Sequence, residues 1–275
     1  MNHGTGKPPE AERTFARLIA QREGRVLTLT ISNPALRNAM TPDLYAAALA
    51  EFRGASRDQA IGAIVLTGEG AHFCAGGNLQ RLLAQRELPR ESQARNLDAL
   101  HAWVEAMRAC PKPILAAVEG AAAGAGFSVC LACDLIVAAQ DAKFVTSYVK
   151  AGLSPDAGGS AALAHALAPQ AALELLLDGA PVGAARLHAL GIVNRVVARG
   201  TARGEAVAWA QRLAEGPVAA HARIKALVYA ARGRTHRAQL DAERDAFVEG
   251  LYGDECAEGI AAFLEKRAAR FVKPG

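Results

Sequence analysis

Three stretches of the chain hold residues whose types and spacing could do chemistry. The first is Pro113 to Asp134, PILAAVEGAAAGAGFSVCLACD. A short apolar run gives way to Gly120, Gly124 and Gly126, with Ala121, Ala122, Ala123 and Ala125 between them. Almost no side chain stands over that turn. A strand that enters it and leaves as a helix presents bare backbone N–H groups. Such groups favour an anion or developing negative charge. Close packing of small residues is the competing reading. The second stretch, His72 to Leu79, is HFCAGGNL: a short extended piece, a small-residue turn and a helix start. The third, Gly152 to Ser160, is GLSPDAGGS, which sets one carboxylate, Asp156, in another turn of small residues. An aspartate there could cap a helix beginning near Ala157.

Other chemistries fit less well. Gly126-Phe127-Ser128-Val129-Cys130 nearly spells the G-x-S-x-G nucleophile elbow, but its last glycine is missing. Ser128 also lies too far beyond the strand ending at Val118, and no spacing nominates His101, His165, His188 or His221 as its base. Those histidines read as surface or satisfied side chains. Gly124-Ala125-Gly126 lacks the third glycine of a dinucleotide fingerprint, because Val129 stands there. Cys130 and Cys133 form a C-x-x-C with no second Cys/His pair nearby, so a metal site is not expected. The net charge of +4 is scattered and forms no nucleic-acid patch. The longest apolar stretch is broken by Glu119, glycines and Asp134, a poor pattern for a membrane span. Five cysteines with no signal peptide fit reduced thiols in a cytoplasm. Met1 to Ala11 reads as a flexible tail rather than a targeting peptide.

These turns need elements to hold them. Hydrophobic residues make up 51% of the 275, enough for a substantial core. Arg25 to Ser32 alternates as a half-buried strand. Asn33-Pro34 turns the chain, and Thr41 can cap a helix running to about Phe52. Ala60 to Gly68 is a nearly continuous apolar strand, and Gln80 to Glu91 is charged and surface-like. Asn96 to Cys110 has helical spacing through Leu97, Leu100, Trp103, Val104 and Met107. Phe127 to Ala132 can open a helix; short strands follow at Asp134 to Ala138, from Phe144 and at Ile192 to Ala198. Helices are expected at Ala161 to Ala168 and Gln170 to Leu177, then at Glu205 to Ala214, Val218 to Ala231, His236 to Glu249 and Cys256 to Phe271. The fold class is α/β, with a core over residues 12–202 and a helical segment over 203–275.

The ordered set of turns resembles the enoyl-CoA hydratase/isomerase family, the crotonase superfamily. The likeness begins at Asn33-Pro34-Ala35-Leu36-Arg37-Asn38-Ala39 and runs through Ala63 to Gly68 and Phe73 to Leu79. Lys112 to Asp134, Phe144 to Ser160 and Ala262 to Arg267 complete it. It implies a spiral of ββα units with a C-terminal helical segment used in oligomer contacts. It also implies an acyl-CoA substrate, no cofactor beyond that thioester, and a homotrimer or a hexamer made of two trimers. By position, the N–H groups of Gly77 and Ala125 would form an oxyanion hole within Ala75-Gly76-Gly77 and Gly124-Ala125-Gly126. Backbone near Ala35, Leu36, Arg37 and Ala75 would face CoA. Phe263 and Lys266 would help at the nucleotide end, unless they are a core or interface side chain and a solvated charge.

The likeness has a gap. The family's hydratases carry two glutamates, and at those positions this chain has Ser128 and Tyr148. Asp156 remains, and an aspartate there resembles the catalytic base of some isomerases and the acidic residue of the dehalogenase branch. The run FVTSYVKAGLSPDAGGS looks most like the ring-epoxide and oxepin-CoA isomerases of phenylacetate breakdown. Mostly apolar surroundings would raise the Asp156 pKa and suit it to act as a base at neutral pH. Double-bond isomerisation through a thioester enolate is therefore the expected activity. A hydratase with a non-standard acid/base set and a non-catalytic acyl-CoA-binding protein stand as alternatives.

Overall fold

The computed structural model describes residues 16–272, so the tail expected at Met1 to Ala11 lies outside them. Strands β1 (Arg17–Glu23), β2 (Val26–Ser32), β3 (Ala63–Gly68) and β4 (Ile114–Val118) belong to one sheet. A second, smaller sheet starts with β5 (Ala121–Ala123), and β6 (Leu135–Ala139) returns to the first. β7 (Lys143–Val145) and β8 (Val182–Gly183) extend the small sheet, and β9 (Arg195–Val197) closes the large one. The large sheet has the order β1-β2-β3-β4-β6-β9 and is parallel from β2 onward; the small one has the order β5-β7-β8. The helices are α1 (Pro42–Arg57), α2 (Leu79–Gln85), α3 (Arg90–Ala109), α4 (Ala125–Ala132), α5 (Gly159–Ala166), α6 (Pro169–Asp178) and α7 (Ala184–Ala189). They continue as α8 (Ala202–Ala214), α9 (Val218–Ala230), α10 (His236–Leu251) and α11 (Asp254–Leu264).

The large sheet is covered on both faces, which is why β2, β3 and β4 read as nearly unbroken apolar runs. Alternate residues serve two separate cores. Ile64, Leu66, Ile114, Ala116 and Ile136 face the core shared with Phe52, Trp103 and Met107. Val26, Ala63, Val65, Leu115, Ala117 and Val137 face α8. That helix presents Ala202, Ala206, Ala210 and Ala214 in an i, i+4 stripe, so its backbone lies close against the sheet. A Cβ at Gly62 would come 2.7 Å from the Ala214 backbone. The helical part expected after residue 202 thus begins with a helix that belongs to the sheet packing.

Several boundaries differ from expectation. β1 was not anticipated: as an edge strand it is mostly exposed and carries no apolar alternation, and it pairs antiparallel with β2 through Gly24. α3 starts at Arg90 rather than Asn96, because its first turns are polar and exposed. α4 starts at Ala125, inside the glycine-alanine run. The last helix stops at Leu264, and Lys266 takes a left-handed φ of 57°. Thr41 precedes α1 but makes no capping bond.

The α9 helix is fastened to the spiral through one buried cluster. Asp134 accepts from Lys225 Nζ at 2.8 Å, Tyr229 Oη at 2.5 Å and the Ile114 N–H at 2.8 Å. Lys225 also donates to the carbonyls of Met107 and Lys112. The Lys225 and Asp134 side chains are only 9% and 16% exposed, so removing one partner strands a buried charge. Asp134→Ala is expected to lower the unfolding free energy by about 3–5 kcal/mol. Urea titration checks this, and a loss under about 1 kcal/mol would mean that the cluster is effectively solvated.

Candidate active site

The two glycine turns are stitched side by side. Segment 73–77 bonds on one side to the turn after β4: Phe73 N–H to Glu119 O at 2.9 Å, Cys74 N–H to Ala121 O at 3.0 Å, and Ala123 N–H to Cys74 O at 2.9 Å. On its other side Ala75 N–H donates to Arg37 O, and Met40 N–H donates to Gly76 O. Gly124 N–H donates to Val145 O, tying α4 to β7. The loop bearing Ala35, Leu36 and Arg37 is exposed, with Arg37 and Asn38 both at positive φ. Asn38 holds it from within, donating from Nδ2 to the carbonyls of Glu69 and His72 and accepting from Asn33 N–H.

Contacts at this crossing leave no room for side chains. Gly76 has φ +86°, and a Cβ there would sit 2.6 Å from Ala123 O and 3.1 Å from Ala125 N. A Cβ on Gly126 would meet Cys74 at 2.5–2.8 Å. The approach leaves backbone donors unused: among the described residues neither Gly77 N–H nor Ala125 N–H has a hydrogen-bond acceptor. Ala125 opens α4, where the N–H groups of Phe127 and Ser128 turn back onto Gly124 O. Two free backbone donors on adjacent turns can hold an oxyanion.

Asp156 lies in the loop between the short turn Ser147–Ala151 and α5. α5 begins at Gly159 with Gly158 at its cap and no side-chain capping bond, so the Asp156 carboxylate does not cap it. Instead Asp156 Oδ1 accepts from Tyr148 Oη at 2.6 Å, and that hydroxyl lies 2.9 Å from Ser128 Oγ. Ser128 is buried on α4, one turn beyond Ala125. The three hydroxyl and carboxyl groups therefore link the helix of one free donor to the Asp156 loop. Burial raises the Asp156 pKa above its ordinary value, opposed by the Tyr148 hydrogen bond and the nearby His101 charge. Burial, then the Asp156 charge, raises the Tyr148 phenol, which stays protonated.

The structure thus gathers Ser128, Tyr148 and Asp156, and sets Ala75, Gly76 and Gly77 beside Gly124 and Ala125. It does not bring Phe263 or Lys266 to them within one chain. Both are exposed; Phe263 lies on α11, which packs on α10, and Lys266 lies just beyond its end. Sequence reasoning missed two neighbours of Asp156. One is His101 on α3. The other is Tyr45 on α1, buried against Trp103 with ring centroids 6.3 Å apart. Burial, then the Asp156 charge, lifts the Tyr45 phenol to about 12. Only the tertiary fold marks either residue. Among the described residues no three His, Cys, Asp or Glu side chains gather as for a metal ion, and no helix is long and apolar enough to cross a membrane.

Known proteins match along most of the chain. The model of the family described as Enoyl-CoA hydratase/isomerase matches residues 21–274. A protein of Escherichia coli K12 named 1,2-epoxyphenylacetyl-CoA isomerase is 32% identical, over 93% of this chain and 98% of its own. A protein of Rhodobacter capsulatus named probable enoyl-CoA hydratase is 36% identical, over 89% of this chain and 93% of its own. The crystal structure of an enoyl-CoA hydratase from Polaromonas sp. JS666 superposes with a TM-score of 0.91 at 49% identity, covering 92% of this chain and 98% of that one. The fold as a whole thus has close counterparts, and the chain belongs to the enoyl-CoA hydratase/isomerase family.

Proposed function

We propose that the chain shifts a proton alongside a CoA thioester, isomerising an enoyl-CoA through an enolate. The observation that carries this reading is the single carboxylate: Asp156 is half-buried, held by Tyr148, and no second acid stands at position 128 or 148. With a 3-enoyl thioester, Asp156 takes the proton from C2. The C–H electron pair moves into the carbonyl, and negative charge gathers on the thioester oxygen. The N–H groups of Gly77 and Ala125 stabilise that oxygen, by roughly 3–4 kcal/mol each. Asp156 then returns its proton at C4, which leaves the conjugated 2-enoyl thioester. Hydration asks for more, since a water must be held and activated while a proton is delivered to C2. The relatives named isomerase and hydratase leave both reactions within the family's range.

The test follows both reactions with one preparation. A 3-enoyl-CoA is supplied in D2O and followed by mass spectrometry, and a 2-enoyl-CoA is followed for loss of the conjugated chromophore. Conversion of the first to its conjugated isomer, faster than water addition to the second, is expected, with deuterium at C4 only to the extent that the Asp156 proton exchanges with solvent before its return. Faster hydration would overturn the isomerase reading. Binding without turnover of either would make the chain a binding protein.

The same reading has the chain work as a homotrimer or as two stacked trimers. Its support is the apolar surface of the last helices, where Phe247, Phe263, Leu264 and Tyr252 are 70–85% exposed. Such a surface suits burial against another copy, and Phe263 and Lys266 would reach a CoA nucleotide from there. Light scattering at micromolar concentration is expected to give a trimer or hexamer mass; a monomer counts against it.

A further inference from the structure

A small cavity of about 40 Å³ adjoins the Gly77 donor. Its walls include Tyr45, Gly77, Arg81, Gln93, Asn96 and Leu97, so α1, α2 and α3 all contribute. That volume is little more than one water's share of the liquid, about 30 Å³, and suits a group of carboxylate size. Arg81 is half-buried, yet among the described residues its guanidinium has neither an ion pair nor a hydrogen bond. A half-buried cation without a counterion is costly, and a planar guanidinium matches a carboxylate on two N–H bonds. The residue is held in place: Asn78 Oδ1 accepts from the Arg81 backbone N–H at 3.0 Å and caps α2. Two further donors share the wall. Asn96 Nδ2 donates to Gln93 Oε1 at 3.4 Å, which leaves the Gln93 amide nitrogen without an acceptor among the described residues. The Tyr45 phenol, protonated up to about 12, likewise has its hydroxyl free. Three unpaired donors and no acidic side chain therefore border one cavity beside the oxyanion donor.

We propose that Arg81, with Gln93 Nε2 and Tyr45 Oη, forms a subsite for a carboxylate at the far end of the acyl group, so that the substrate is the monothioester of a short dicarboxylic acid. This rests on the acyl-CoA reading of Gly77 and Ala125. The chain is short because the thioester oxygen and the far carboxylate border the same cavity.

Isothermal titration of the intact chain tests it with matched thioesters: succinyl-, glutaryl- and adipyl-CoA against butanoyl-, pentanoyl- and hexanoyl-CoA. At least one carboxylate-ended ligand is expected to bind about 10–100-fold tighter than its methyl-ended counterpart. Arg81→Leu should erase that preference and leave the methyl-ended series within about threefold of the native affinity. Arg81→Lys should keep part of it, as a point charge without the planar fork. A native preference for methyl ends at every length overturns the subsite. So does an equal loss in both series with Arg81→Leu, which would place the guanidinium on the CoA phosphates. If neither series binds, the acyl-CoA reading itself fails and takes the subsite with it; methyl-ended ligands that still bind would confine the failure to the subsite.

Discussion

Asp156→Asn is expected to lower turnover by about 10²–10⁴-fold, the usual worth of a general base, while acyl-CoA affinity stays close to native. The amide is nearly isosteric with the carboxylate, and its oxygen can still accept from Tyr148 Oη, as the carboxylate does at 2.6 Å. The loop geometry therefore survives and only the proton-accepting capacity goes. Because the base must be ionised, native activity is present above the Asp156 pKa and is lost as pH falls through it. Burial places that acid limb above the ordinary carboxylate range. Tyr148→Phe deletes the hydrogen bond that favours the ionised form. The limb of kcat/KM should then move to higher pH, with a smaller loss at its plateau than Asp156→Asn causes. Ser128→Ala, one step farther from the carboxylate, should shift it less. A folded Asp156→Asn variant with near-native turnover would remove Asp156 from the chemistry.

How much of this was readable in the sequence depends on where each residue's constraint comes from. β2, β3 and β4 are buried on both faces, so burial wrote continuous apolar runs into them. β1 is an exposed edge strand placed mainly by main-chain pairing to β2, with Leu18 packed on the core, and pairing leaves no mark on residue type. The glycine turns were legible because the close approach at Gly76 and Gly126 forbids any side chain. The hydrogen bonds around Asp156 were not. Tyr148 and Ser128, set in the site by the family likeness, are 8 and 28 positions from it, and the link from Ser128 Oγ through Tyr148 Oη to the carboxylate exists only in the fold. Whether Asp156 caps a helix turns on α5 starting at Gly159 rather than near Ala157, a shift smaller than sequence patterns resolve. Tyr45 lies on the buried stripe of α1 and reads as core, and α2 has no buried residue to set Arg81 apart from its charged neighbours, so neither is marked as a wall of the cavity.

Gly76→Ala is the second large effect, and it tests the oxyanion site without touching an ionisable group. The added methyl would lie 2.6 Å from Ala123 O and 3.1 Å from Ala125 N, on a backbone at φ +86° that an L side chain rarely adopts. Relief requires the two turns to part, which moves the Gly77 and Ala125 donors together. Charge on the thioester oxygen develops in the transition state, so the loss belongs in kcat more than in KM. Displacing even one such donor costs about 10²–10³-fold, and that is the expected drop. Gly24→Ala serves as the control for left-handed strain alone. Its φ is +57°, nothing lies within 4 Å of its added methyl, and it sits in the β1–β2 turn away from the site. It should cost about 1 kcal/mol of stability and leave kcat unchanged. Circular dichroism and a urea midpoint establish that both variants fold before rates are compared. A folded Gly76→Ala enzyme with native kcat would mean that the apposed turns pack the fold and do not hold the enolate.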